Sequence, residues 1–335
     1  AVKVMGMAAD WQVQPLLDEL CFVYQYDQRN RMYYKKIPGA APVYMVYDAR
    51  DRLVMTQDGN MQTNQQWLCT VYDPSNRPVK TFLRNNDGDD YAYHAAEAAG
   101  AINYPDQTLA SNTVLSTTDY DGPSNTLVTT DLGYLTAGAN LYSEPVQNSK
   151  ITYGKVVASM SKDLQSSSKE VITQFCYDEK GRVIQSYTEW GKFSVRKSTM
   201  YDYTGKPLCS YEKHLVEEPA TNIDIRVLTK LQYDDGGRLK KVLKQLNNDG
   251  VDHEISKLEY DEQNKIKRKD YGTDPAQPTT ALESVTYDYN LRGWLTGMNR
   301  SFLGNQTTNQ HWFGQTISYD HGFTNDVGTS RMFNG

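Results

Sequence analysis

Residues able to hold a metal or move a proton are few in this chain and poorly spaced for either task. The five histidines, His94, His214, His253, His311 and His321, lie far apart, with no HExxH pair and no carboxylate at metal-ligand intervals. Surface or packed imidazoles are expected at all of them. Two stretches offer clustered oxygen donors, Asp87, Asp89 and Asp90 in one and Asn247 to Glu254 in the other. Neither follows the alternating twelve-residue calcium pattern that ends in glutamate, so both read as solvated turns. No nucleophile elbow, phosphate-cradling glycine loop or dinucleotide fingerprint occurs, and Gly236-Gly237 reads as part of a hairpin. Cys21, Cys69, Cys176 and Cys209 form no CxxC pair and are expected as buried or half-buried thiols in strands, with a disulfide left open in an exported protein. Trp11, Trp67, Trp190, Trp294 and Trp312 could stack on pyranose rings, or could serve as packing anchors in a thin sheet. The expectation is no catalytic residue, no metal and no cofactor.

What recurs is a dipeptide. Tyrosine precedes aspartate ten times, where composition alone would give about two such pairs, so the chain is built from a repeat. Eight copies carry a basic residue five positions after the tyrosine. They are Tyr26-Asp27 with Arg31, Tyr47-Asp48 with Arg52, Tyr72-Asp73 with Arg77, Tyr177-Asp178 with Arg182, Tyr201-Asp202 with Lys206, Tyr233-Asp234 with Arg238, Tyr260-Asp261 with Lys265, and Tyr287-Asp288 with Arg292. A degenerate copy begins at Tyr319. The fourth position after the tyrosine is Asn30, Asp51, Asn76, Gly181, Gly205, Gly237, Asn264 and finally Leu291. All but Leu291 are types that adopt the left-handed backbone most readily. An aspartate opener, two free positions and a left-handed closer describe a type I turn with a G1 bulge, which is a three-residue hairpin connection.

That geometry sets the aspartate opposite the basic residue and the tyrosine opposite position six, which holds Met32, Leu53, Pro78, Val183, Pro207, Leu239, Ile266 and Gly293. Tyrosine and its mostly apolar partner are expected on one face of the sheet, with the ion pair on the other, exposed and worth roughly 0 to 1 kcal/mol.

The elements that must position these turns are short strands. The regular units run over residues 21–83 and 170–325 of a single domain, 1–335, with a less regular elaboration at 84–169. A helical turn is expected at Pro15 to Leu20, a reverse turn at Asp58 to Asn60, and a short helix over Tyr91 to Ala101. Within the elaboration, Thr113 to Thr118, Thr126 to Leu132 and Ile151 to Met160 read as strands. Only 39% of the residues are hydrophobic, tyrosine outnumbers phenylalanine 25 to 8, and the net charge is −6. This suits wide, wetted sheets and argues against a nucleic-acid partner. No apolar run is long enough to span a membrane, and the first residues lack a signal peptide's pattern. Repeats that run to the C-terminal end suggest a piece of a longer polypeptide. A spacing of about 25 residues is too short for propeller blades of about 40.

The strings YDEKGRVIQ, YDDGGRLKKV and YDYNLRGWLTGMN, together with PVYMVYDARDRLVMTQDGN, QWLCTVYDPSNRPVKT, FGQTISYD and RMFNG, resemble the YD-repeat, or Rhs, family of bacterial polymorphic-toxin and cell-surface proteins. The teneurins of animals share its shell. The resemblance covers nearly the whole chain and reads like the segment just upstream of the Rhs-associated core. It implies an all-β fold, a continuous antiparallel sheet of β-hairpin repeats curled into a partial shell or spiral. It implies secretion or surface display, and as partners the downstream core and a C-terminal cargo domain of the same polypeptide. The family's self-cleaving aspartyl site belongs to that downstream core, so no residue here inherits it. The alternative is an adhesin-like surface module that binds glycan or another protein.

Overall fold

The computed structural model describes residues 19–102, 104–108, 112–122, 128–135, 143–149, 152–165, 169–218, 221–273, 280–304 and 311–319. Nineteen strands occur among them, each antiparallel to its neighbours in the sequence. The chain divides into two compact units. The first comprises 1–125, 149–181 and 187–191, and the second 126–148, 182–186 and 192–335.

In the first unit, β1 (Val23–Tyr26), β2 (Met32–Lys36), β3 (Val43–Tyr47), β4 (Leu53–Gln57), β5 (Trp67–Tyr72), β6 (Pro78–Arg84), β7 (Thr113–Tyr120), β8 (Val156–Lys162) and β9 (Glu170–Tyr177) pair in chain order. Strand β10 (Val183–Trp190) contributes residues to both units. In the second, β11 (Phe193–Tyr201), β12 (Pro207–Val216), β13 (Ile223–Tyr233), β14 (Leu239–Leu246), β15 (His253–Tyr260), β16 (Ile266–Tyr271), β17 (Glu283–Tyr289), β18 (Leu295–Met298) and β19 (Gln315–Thr316) continue the same pattern.

The turn chemistry accounts for this regularity. Tyr26 pairs with Met32, Tyr47 with Leu53, Tyr72 with Pro78, Tyr201 with Pro207, Tyr233 with Leu239 and Tyr260 with Ile266, each beside a one-residue register shift. The shift is the bulge, and its residue is left-handed: Asn30, Asp51, Asn76, Gly181, Gly205, Gly237 and Asn264 have φ between 59° and 94°. Valine at Gly181 (φ 75°) or Gly237 (φ 74°) is therefore expected to cost about 1 to 2 kcal/mol, since a β-branched side chain clashes with that backbone. Thermal melts check this, and variants that melt with the parent would reject the turn geometry.

Each unit has its own apolar core. In the first, Val46, Val54, Met55, Trp67, Cys69, Phe82 and Ala98 pack together, with Tyr72, Tyr91 and Tyr104 against them. In the second, Leu135, Met200, Leu208, Cys209, Tyr211 and Leu228 do so, with Leu132, Tyr134 and Val146 alongside. Helix α1 (Gly59–Thr63) stands where only a turn was expected, capped by Asp58, whose carboxylate accepts the Met61 N–H. Helix α2 (Tyr91–Ala99) matches its expected place and brings Ala98 into the first core. Of the strand expected at Thr126 to Leu132, residues 129–132 lie instead in a 3-10 helix (Thr129–Tyr134), and 126 and 127 are outside the described residues. The β-branched run Val128-Thr129-Thr130 ends at Asp131, and Tyr134 stacks on Tyr211 at 4.5 Å, so packing of Leu132, Tyr134 and Leu135 outweighs strand propensity. The elaboration thus packs apolar residues onto the core of each unit. Of the expected turn at Pro15 to Leu20, Glu19 and Leu20 are helical and the rest lies outside the described residues. No helix among the described residues is long and apolar enough to cross a membrane.

Candidate functional site

The chemistry of this chain is concentrated at its turns. At Asp27, Oδ1 accepts the backbone N–H groups of Arg29 and Arg31 at 2.8 and 2.9 Å, and Oδ2 accepts Arg31 Nε at 2.7 Å. Asp48 does the same with Arg50 and Arg52, and Asp73 with Ser75 and Arg77. Asp234 repeats the backbone bond and the side-chain bond to Arg238. Where lysine replaces arginine, Asp202 and Asp261 keep the two backbone bonds.

The ion pairs are not the exposed pairs expected. Asp48 and Arg52 side chains are 0% and 10% accessible, and those of Asp73 and Arg77 are 13% and 27%. The reason is a second contact that single-turn geometry does not contain. Each basic group covers the tyrosine ring of the next turn: Arg31 lies over Tyr47 at 5.0 Å, Arg52 over Tyr72 at 5.0 Å, Arg182 over Tyr201 at 4.9 Å, Lys206 over Tyr233 at 5.6 Å and Arg238 over Tyr260 at 4.6 Å. The same tyrosine donates its hydroxyl backward to the carbonyl at position six of the preceding turn. Tyr47 reaches Met32, Tyr72 reaches Leu53, Tyr201 reaches Val183, Tyr233 reaches Pro207 and Tyr260 reaches Leu239, all at 2.8 to 2.9 Å. Burial pushes the Tyr47, Tyr72 and Tyr233 hydroxyls above their ordinary pKa, which keeps them donors. These turns are therefore held by their own aspartates, and each tyrosine site is completed by the preceding turn.

Two turns depart from the sequence reading. Tyr120-Asp121, left out for want of a basic residue five positions on, heads a split unit. Tyr120 pairs with Val156 across the bulge, Arg77 lies over the Tyr120 ring at 4.4 Å, and Lys155 lies over Tyr177, whose hydroxyl reaches Val156. Residues 122–153 are an insertion inside one turn; the Tyr-Asp pair itself was the available signal. The turn placed at Tyr287, Asp288 and Arg292 lies two residues later. Tyr289 pairs with Leu295, Asn290 Oδ1 accepts the Arg292 and Trp294 N–H groups, and Gly293 takes the left-handed position at φ 81°. Leucine at position 291 tolerates left-handed backbone poorly, and Gly293 offers it without strain, so the register follows the glycine. Lys265 accordingly covers Tyr289, and Tyr289 reaches Ile266. Trp294 then stands where a basic residue stands elsewhere, 5.0 Å from the Tyr319 ring, and Tyr319 donates to Leu295.

The turn aspartates also set a pH response. At Asp27 and Asp202 desolvation raises the pKa, but hydrogen bonds to the turn outweigh it and the value falls below the ordinary range. At Asp73 and Asp234 the backbone N–H groups of Arg77 and Arg238 are the main cause of the lowering. A carboxylate with a depressed folded pKa stabilises fully above the unfolded value, about 3.9, and loses that contribution as pH falls through the lower folded value. The melting temperature is expected to hold above about pH 5 and to drop below about pH 4. A melting temperature that rises on acidification would contradict this.

The remaining candidates scatter. His94 is fully buried, His311 bonds to Glu283 at 2.9 Å, and His214 and His253 lie beside Glu212 and Asp249; His321 is outside the described residues. In the 247–254 stretch, Asp249 accepts the Val251 N–H and Asp252 binds Lys230 and Gln245, as a turn does. None of the four cysteines is joined in a disulfide, and Cys21 precedes the first strand instead of lying in it. Burial pushes the Cys69 thiol up to about 12 and that of Cys209 up to about 11. Trp67 is buried, whereas Trp190, Trp294 and Trp312 are exposed; Trp11 is outside the described residues. A groove of about 830 Å³ between the turns after β15 and β17 is lined by Tyr260, Asp261, Glu262, Tyr287, Asp288 and Tyr289 among others.

No family model and no curated protein matches the chain. Solved structures it is similar to include the crystal structure of TcdB2-TccC3, at 13% identity and TM-score 0.29, and that of TcdB2-TccC3-TEV, at 14% and 0.28. A third is TcdB2-TccC3 without its hypervariable C-terminal region, at 13% and 0.29. In each case 83% of this chain is aligned to 14% of the other. TM-scores this low lend no weight to a shared fold or role.

Proposed function

We propose that this chain is a wall segment of a larger YD-repeat container, structural and non-catalytic, which encloses or presents a C-terminal toxin or effector domain of the same secreted or surface polypeptide. The observation that carries this reading is the interlock between successive turns, in which each basic residue and each carbonyl completes the tyrosine site of the next hairpin. Such a contact can be repeated indefinitely without new chemistry, which is what a container wall needs. The net charge of −6 supports a partner other than nucleic acid. The test is to express the full reading frame and follow limited proteolysis of whatever lies downstream. The downstream domain is expected to resist digestion within the intact protein and to be cut rapidly when expressed alone. Equal rates, or a frame that ends without such a domain, would reject the reading.

A second reading rests on the groove lined by Tyr260, Tyr287 and Tyr289 together with Asp261, Glu262 and Asp288, a mix of aromatic and acidic side chains that suits a sugar ring. A glycan array probed with the parent chain and with Tyr287→Ala checks it. Glycan binding lost in the variant would favour an adhesin.

A further inference from the structure

We propose that Asp87, Asp89 and His94 form a site for a divalent transition ion, Zn²⁺ fitting best, which ties residues 85–90 to the first turn of α2. One ligand-type atom from each residue lies within 4.8 Å of the other two. The second observation is the state of the imidazole. His94 is completely buried, and its Nε2 has no hydrogen-bond partner, although it points toward the Asp87 carboxylate 3.3 Å away. Asp87 is itself 6% accessible, and its Oδ2 lies 2.5 Å from Arg84 Nε as well as beside His94 Nε2, so the carboxylate is held in place facing the imidazole. Buried polar atoms of this kind are rare and call for a ligand or an ordered water.

The surroundings favour an ion. Nδ1 of the same imidazole lies 2.6 Å from the Tyr104 hydroxyl, the arrangement that orients a metal-bound histidine from behind. Asp87 Oδ1 accepts the Asp89 N–H, which holds the two carboxylates in one short loop. Asp90, next in the chain, caps α2 through the Tyr93 N–H, so it stays outside the ligand set. Asp87, Asp89 and Asp90 act on His94 against the single positive charge of Arg84, leaving net negative charge beside the imidazole. Asp89 is exposed, which gives an ion a path from solvent. One imidazole with two carboxylates is a donor set of zinc-like ions, with room for water at a fourth position, and it is a poor set for calcium.

The test uses the whole chain without an affinity tag, stripped with a chelator and titrated with ZnCl₂ by calorimetry and with CoCl₂ by visible absorption. One equivalent is expected to bind, with cobalt bands appearing in step. Asp89→Asn, at an exposed position that leaves the core untouched, is expected to weaken binding at least about tenfold. His94→Gln is expected to abolish it, with circular dichroism reporting whether that variant folds. Absence of binding to the parent, or binding that Asp89→Asn leaves unchanged, would overturn the proposal and leave an ordered water as the partner of these atoms.

Discussion

Replacing Asp48 by alanine is expected to destabilise the first unit by about 3 to 5 kcal/mol, because it strands a buried cation. Arg52 keeps its position through Tyr72, the Ile102 carbonyl and Asn76, yet loses the carboxylate that meets both its Nε and Nη2. Two backbone N–H groups, those of Arg50 and Arg52, lose their acceptor as well. Asp48→Asn should cost less, since Asn290 performs the same backbone capping in its own turn with an amide. Asp234→Ala is the contrasting case. Its ion pair is more open, at 20% and 35% side-chain accessibility, so water replaces part of what is lost and about 1 to 2 kcal/mol is expected. Urea unfolding monitored by circular dichroism measures all of these. Equal losses at Asp48 and Asp234 would show that burial by the neighbouring turn does not set the value of the pair.

Trp67→Ala is the second large loss, at about 3 to 5 kcal/mol. The side chain is inaccessible and sits among Val46, Val54, Met55 and Phe82, with the His94 ring of α2 edge-on at 4.8 Å. No rearrangement of short strands fixed by their turns can close a cavity of that size. Amide exchange in α2 should accelerate together with the fall in stability, because the helix rests on this ring. Trp190→Ala, at a position 47% exposed, should change stability by no more than about 1 kcal/mol. Unchanged exchange in α2 would separate the helix from the core it covers.

The register of the regular Tyr-Asp hairpins was legible in the chain because it is a local matter. An acidic opener, a basic residue five places after the tyrosine, and a residue tolerant of positive φ lie within one turn, and their pairing follows from strand geometry without reference to anything distant. The same locality explains the misplacement at Tyr287. The Tyr-Asp pair outranked Gly293 in the sequence reading, whereas in the folded chain the demand for a left-handed residue decides. Tyr120-Asp121 was missed for a related reason, since its basic partner, Lys155, comes after an insertion and only strand pairing brings it back.

By itself, then, the order of residues determined the all-β character and, except at Tyr120 and Tyr287, the Tyr-Asp reversals and the partners across them. Tertiary structure alone decided that the basic residue of one turn covers the tyrosine of the next, that the insertion's Leu132, Tyr134 and Leu135 join the second core, and that Asp87 and His94 meet. Those contacts join residues of different turns and loops, whose separation along the chain carries no fixed interval. They exist because stacking one hairpin on another buries faces that no single hairpin can bury alone.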